Sequence, residues 1–298
     1  KMRDNFVKGL DFTQSYILKL GIICLGIQLK PFEFLEFGAV AIPLIIICIA
    51  TVLIVIKLLI KKLKIPTRMA YLISIGSTVC GTTAIMATAP VIGAKKNEVS
   101  YAIANITLFG ILSMLIYPYF ANYYFDAEPM FVGLFLGTSI HETSQVAAAG
   151  LIYDQQFNSP ETLNIATVTK LIRNTFLVIM IPLFAFLYNR NNVVKKNYSI
   201  LAIFPYFVIG FVAMIILRNI GDQFFLNSYN NLWLETVDII KSSSKVFLTM
   251  AMAAIGLSTN LRDLKSMGYK PFLVGFIGMA TVGLVSILSI EFYINFLN

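Results

Sequence analysis

Hydrophobic positions fall along this chain in blocks. Nine apolar segments can be marked, roughly 16–29, 38–60, 69–92, 99–121, 130–151, 163–188, 198–218, 243–259 and 270–294. A helix needs ~20 apolar residues to cross a bilayer, and six or seven of the blocks are long enough. The blocks 16–29 and 243–259 are short or interrupted by polar residues and glycine. In lipid each backbone N–H and C=O must find a partner within the protein, so the pattern predicts an all-α, polytopic membrane protein. Its first residues, KMRDNF, form a polar stretch leading into the first block, without the apolar run of a signal peptide.

Composition sharpens this. Of 298 residues, 58% are hydrophobic and 13% charged, against about 25% charged in an ordinary soluble domain. Mean hydropathy is +0.79. These values exclude a disordered chain and nearly every soluble fold, because a protein of this size cannot hide so much apolar surface. The net charge of +8 does not point to nucleic acid, since the basic residues gather in short loops between the blocks, the pattern of cytoplasmic loops. Lys57, Lys61, Lys62, Lys64 and Arg68 mark one such loop. Arg190, Lys195 and Lys196 mark a second, and Arg262, Lys265 and Lys270 a third. The loops 122–129 and 152–162 carry only Asp126, Glu128, Asp154 and Glu161 and read as external. Cys24, Cys48 and Cys80 all lie in apolar segments at no metal-binding spacing, so neither a disulfide framework nor a zinc site is expected.

Lys95 and Lys96 ask for the cytoplasmic side too. Segment 69–92 would then leave and return to the same side, and 130–151 would do so from outside. Both are rich in glycine, serine and threonine at their centres, the mark of re-entrant or broken helices lining a cavity. The alternative is that both span fully.

Two internal similarities run along the chain. Residues 21–38 resemble 251–268, with Gly26 meeting Gly256 and Gly38 meeting Gly268. Residues 76–89, GSTVCGTTAIMATA, resemble 137–150, GTSIHETSQVAAAG. The loop charges run the members of each pair in opposite directions. That is an inverted repeat, the usual plan of secondary transporters, with the solute near the membrane midplane.

Ionisable groups deep in apolar segments are costly and are functional candidates. Here they are His141, Glu142, Lys170 and Arg173. His141 and Gln145 share a helix face with Thr138, and His141 with Glu142 suggests proton coupling; the alternative is a hydrogen-bonded pair tying two helices. A metalloprotease-like H-E-x-x-H would need a second histidine, and the chain has one. Lys170 and Arg173 lie three apart with Thr167 and Asn174 extending their stripe. Two adjacent cations in a low dielectric need negative partners: Glu142 offers one, an anionic ligand the rest. The alternative is snorkelling to a headgroup. Ser77, Thr78, Cys80, Gly81, Thr82 and Thr83 form the matching polar patch, where a break would expose N–H groups that attract anions. Small-residue packing is the competing account. Thr259 and Asn260 offer a weak helix cap.

At LGIICLGIQL, GSTVCGTTAIMATAPV, SIHETSQVAAAG and AMAAIGLST the chain resembles the YeiH-type sulfate exporter family, bacterial inner-membrane proteins of a superfamily like sodium/proton antiporters and bile-acid symporters. The similarity covers nearly the whole chain. It implies a single transporter domain, 1–298, of about ten helices, multi-pass in the bacterial inner membrane, which exports sulfate or a related anion. Members usually carry one or two further apolar helices before the position of Lys1, so the N-terminal helices of the family pattern are expected to be missing here.

Together these observations lead to a secondary transporter for a small anion, sulfate-like or organosulfonate, coupled to protons or sodium. Lys170, Arg173, Ser77, Thr78, Thr82, Thr138, Ser139 and Gln145 would bind the anion, and His141 with Glu142 would couple protonation. The expected partners are the solute, the coupling ion, the lipid bilayer and a second copy in a homodimer, with no nucleic acid, no cofactor and no enzymatic activity. A cation/proton antiporter using Glu142, an anion channel, and an intramembrane enzyme built on the His-Glu pair are the alternatives.

Overall fold

The block centred on Ile47 carries no charge between Gly38 and Ile56, and nothing in it interrupts a helix except Pro43, which a long apolar helix absorbs. In the computed structural model, which describes residues 2–28, 31–63, 66–89, 92–189, 207–225, 230–258 and 269–297, it lies within a 33-residue helix. The helices in chain order are α1 (Met2–Phe12), α2 (Leu18–Leu25), α3 (Pro31–Leu63), α4 (Thr67–Thr78), α5 (Gly81–Thr88), α6 (Lys96–Tyr124) and α7 (Pro129–Ser139). They continue as α8 (Thr143–Phe157), α9 (Pro160–Thr175), α10 (Leu177–Asn189), α11 (Phe207–Phe225), α12 (Asn230–Ser258) and α13 (Tyr269–Leu297). A π-helical turn, Thr13–Ile17, joins α1 to α2, and a 3-10 turn, Gly26–Gln28, follows α2. The architecture is all-α, as the block pattern predicted.

Several boundaries differ from the hydropathy reading, each for a physical reason. The polar opening belongs to a helix from Met2, α1, along which Phe6, Val7, Lys8 and Gly9 are exposed. Block 243–259 is only the second half of α12, whose first half carries Glu235, Asp238 and Lys241 and so drops out of a hydropathy window. Block 163–188 is two helices, α9 and α10, with the chain turning at Phe176. Blocks 69–92 and 130–151 are each broken near their centre. As a result, three helices among the described residues are long and apolar enough to cross a membrane by themselves, over Phe37–Leu59, Glu98–Tyr124 and Phe272–Asn295. Their outward faces bear Ile46, Ile54, Leu58, Leu115, Ile116, Leu284 and Leu288, all exposed. So much contiguous apolar surface suits hydrocarbon and not water. Most of the 189–197 loop, residues 198–206 and the stretch 259–268 with Thr259, Asn260 and Gly268 lie outside the described residues.

The helices gather into two groups. In one, α2 packs between α11 and α12, with α1 against α12. In the other, α3 and α13 pack side by side and lie against α4 and α7, with α3 also on α9 and α13 on α6, while α5 packs on α4 and α6 and α8 on α6 and α9. The two groups touch mainly where α8 lies along α12.

Close helix contact without hydrophobic driving force requires small residues. Gly133 and Gly137 provide it on α7: a Cβ at Gly137 would lie 2.5 Å from the Thr169 Cβ and 2.7 Å from the Ala166 carbonyl oxygen on α9. Gly137→Ala is therefore expected to push α7 off α9 and destabilise the protein by ~1–3 kcal/mol. Melting in detergent checks this against Gly9→Ala, where nothing lies within 4 Å; equal melting of the two variants would refute the account.

Candidate functional site

Two breaks bring four helix ends to one place. The chain stops being helical after Thr78 and resumes at Gly81; it stops again after Ser139 and resumes at Thr143. Cys80, Ile140 and Glu142 have extended backbone. The two linkers hold each other through Gly81 N–H, which donates to the His141 carbonyl at 3.1 Å. The breaks fall at matching positions of the two similar strings, so Gly81 stands where the second string has Glu142.

Helix C-termini leave carbonyls unpaired, and burying them without donors is expensive. Lys170 and Arg173, one turn apart on α9, supply the donors. The Lys170 Nζ donates to the carbonyls of Val79 (2.9 Å), Ile140 (2.9 Å) and His141 (2.6 Å). The Arg173 Nε and one terminal nitrogen donate to Thr78 and Ser77, both at 2.8 Å, and the other terminal nitrogen to Thr138. Both side chains are fully buried, which removes the snorkelling alternative. Their negative partners are carbonyls with the dipoles of α4 and α7 behind them, in place of the Glu142 carboxylate that the sequence suggested. An ammonium has three donors and all are used here, so Lys170 has none left for a solute in this arrangement.

The N-termini are served differently. The Glu142 Oε1 accepts the Thr82 N–H at 2.5 Å, placing a carboxylate on the first turn of α5. Gly81 makes the room: a Cβ there would lie 2.6 Å from the Glu142 Cγ. Because the matching position in the first string is that same glycine, no carboxylate reaches back from it to α8. The first residue of α8, Thr143, has its hydroxyl held by the Asn174 amide at 2.9 Å and lies 3.6 Å from the Cys80 Sγ. Glu142 and Thr82 are half-buried and Thr83 is exposed, so the crossing is reached from the α5 side.

The remaining expected residues lie at the same crossing with narrower roles. The hydroxyls of Thr78, Thr138 and Ser139 donate back to carbonyls of their own helices, at 3.1 Å to Ile75, 2.7 Å to Leu134 and 2.5 Å to Phe135. Small polar residues commonly do this inside helices. Thr138 also meets Ser286 of α13 at 2.6 Å. The Gln145 amide nitrogen donates to the Thr107 carbonyl at 3.2 Å, its head lying against Gly110 of α6. The buried Ser77 hydroxyl, the Gln145 oxygen and both His141 ring nitrogens have no hydrogen-bond partner among the described residues. Buried polar atoms without partners are unusual and mark positions where a transient partner fits.

Sequence reasoning missed Ser286, a lone hydroxyl in an apolar block, and Thr107, which contributes only its carbonyl. Nothing in the local pattern could have flagged either. No group of three or more His, Cys, Asp or Glu side chains able to hold a metal occurs among the described residues. The three cysteines are free.

The family described as conserved hypothetical protein 698 matches residues 1–275. A UPF0324 membrane protein of Fusobacterium nucleatum is 35% identical over 302 residues, covering 97% of this chain and 87% of that protein. One from Streptococcus agalactiae is 37% identical over 274 residues, covering 92% and 79%, and one from Clostridium tetani 32% over 295, covering 94% and 81%. No solved structure matches the chain.

Proposed function

The chain belongs to this UPF0324 family of membrane proteins, the YeiH-type family its motifs resemble, and from that premise we propose that it is a multi-pass secondary transporter exporting a small sulfate-like anion across the bacterial inner membrane. The observation that carries this reading is the charge balance at the crossing. Lys170 and Arg173 bring two positive charges and the Glu142 carboxylate one negative. Each helix C-terminus adds about −0.5 and each N-terminus about +0.5, so the four ends cancel and roughly one positive charge is left over. In a low-dielectric interior an uncompensated charge is costly, and an anion arriving at the crossing relieves it.

The amide groups opening α8 are the natural receptor, since the carboxylate serves α5. Lys170 and Arg173 set the field from behind while holding the broken ends apart. A monoanion balances the site with Glu142 charged; a dianion balances it when Glu142 takes a proton. Proton and dianion then travel together with net negative charge. A membrane potential negative inside favours their exit by ~2.3 kcal/mol per charge at 100 mV.

The test is a thermal-shift screen of sulfate, sulfite, phosphate, chloride and methanesulfonate on the purified protein, followed by counterflow of any stabilising anion in proteoliposomes. Saturable counterflow supports a carrier, and flux without counterflow supports the channel alternative. If no anion stabilises the protein while sodium or pH does, the cation/proton antiporter built on Glu142 replaces this reading.

A further inference from the structure

Away from the crossing, a charged pair among the described residues joins the two helix groups. The Lys245 Nζ of α12 lies 2.6 Å from the Asp154 Oδ2 of α8. The Asp154 side chain is 5% exposed and that of Lys245 39%. Each member sits beside a residue that fastens it to its own group. Tyr153 donates its hydroxyl to the Asn122 side chain of α6 at 2.8 Å. Ser244 donates to the Gly21 carbonyl of α2 at 2.8 Å, and the helices close tightly there, a Cβ on Gly21 falling 3.1 Å from the Phe247 Cβ. Asp154 is thus rigid within one group and Lys245 within the other.

We propose that the Lys245–Asp154 pair is a latch that holds the two helix groups in the present arrangement and must open when the crossing moves. This inference rests on the transporter reading for its purpose, though not for its test. α8 is the mechanical link: it begins at the crossing with Glu142 and runs straight to Asp154, roughly 18 Å away at the helical rise. Any displacement of the crossing relative to α12 carries Asp154 with it. A nearly buried carboxylate separated from its ammonium must find water or another donor, so the pair favours one of the two arrangements. The favoured arrangement gains by the pair's differential interaction alone, which is the quantity a charge swap leaves in place.

The experiment measures the arrangement directly. Spin labels go on Leu232→Cys of α12 and Tyr123→Cys of α6, both exposed, after Cys24, Cys48 and Cys80 are replaced by alanine. Lys245→Met and Asp154→Asn are each expected to raise the population at a second label-to-label distance about tenfold over the otherwise wild-type chain. The swap Lys245→Asp with Asp154→Lys is expected to return it to within about twofold of the starting value. Unchanged distances in both single variants overturn the latch, as does a folded swap that fails to restore them. Where a single change prevents folding, the folded swap alone decides. The readout uses no anion, so shifted distances in the variants of a wild-type protein that itself moves no anion remove the transporter reading and leave the latch. Intact transport with fixed distances removes only the latch.

Discussion

Arg173→Met is expected to melt at least ~10 °C below the wild type in detergent, the largest loss from any single substitution at the crossing. Methionine fills a similar volume but donates nothing, so the carbonyls of Ser77, Thr78 and Thr138 stay buried and unpaired. Each stranded acceptor costs ~1–3 kcal/mol, and the sum approaches the whole stability of an ordinary domain. The dipoles of α4 and α7 would also point their negative ends at each other with only the Lys170 ammonium left between them. Arg173→Lys should be intermediate, because an ammonium keeps the charge but cannot reproduce the planar fork that spans both helix ends. Trp233, the single tryptophan, gives the fluorescence signal for the melt, and exposed Lys8→Met is the control. Melting of Arg173→Met within about 2 °C of the control would mean the carbonyls find other donors, and the electrostatic account of the crossing would fail.

Glu142→Gln is expected to act on ligand binding with little effect on the fold. The glutamine oxygen can still accept the Thr82 N–H, while the negative charge is gone permanently. The crossing then holds one more unit of positive charge, the state assigned above to the protonated wild type. Sulfate should bind on the order of 1,000-fold more tightly at neutral pH, since one unit charge about 4 Å away is worth about 4 kcal/mol at an effective dielectric near 20. Thermal shifts with sulfate at neutral pH decide this. A variant that binds sulfate no more tightly than the wild type would remove Glu142 from the charge balance of the crossing, with the unpartnered ring of His141 the next group to examine.

The same residues show how far the chain could be read beforehand. The two polar strings, their breaks and the meeting of His141, Glu142, Lys170 and Arg173 with them were open to a reading of the chain because charge, glycine and hydroxyl groups are conspicuous in apolar sequence. The partners of the two cations were not visible. Their acceptors are backbone carbonyls of Ser77, Thr78, Val79, Thr138, Ile140 and His141, and a carbonyl looks the same at every residue of a sequence. The polar first half of α12 was missed because Glu235, Asp238 and Lys241 lower its mean hydropathy, although it continues the same helix as the apolar half.

By itself, then, the sequence determined the all-α membrane character, the places where helices must break and the burial of His141, Lys170 and Arg173, since composition and local pattern govern transfer into lipid and the cost of burying charge. The tertiary structure decided which groups those charges serve. Lys170 and Arg173 turned from direct ligands into caps for two crossing helices, Glu142 came to rest on the first turn of α5 with Gly81 leaving it room, and Asp154 met Lys245 across the two helix groups. Those outcomes depend on where helix ends converge in space, and dipoles and hydrogen bonds act over a few ångströms between residues that the chain keeps far apart.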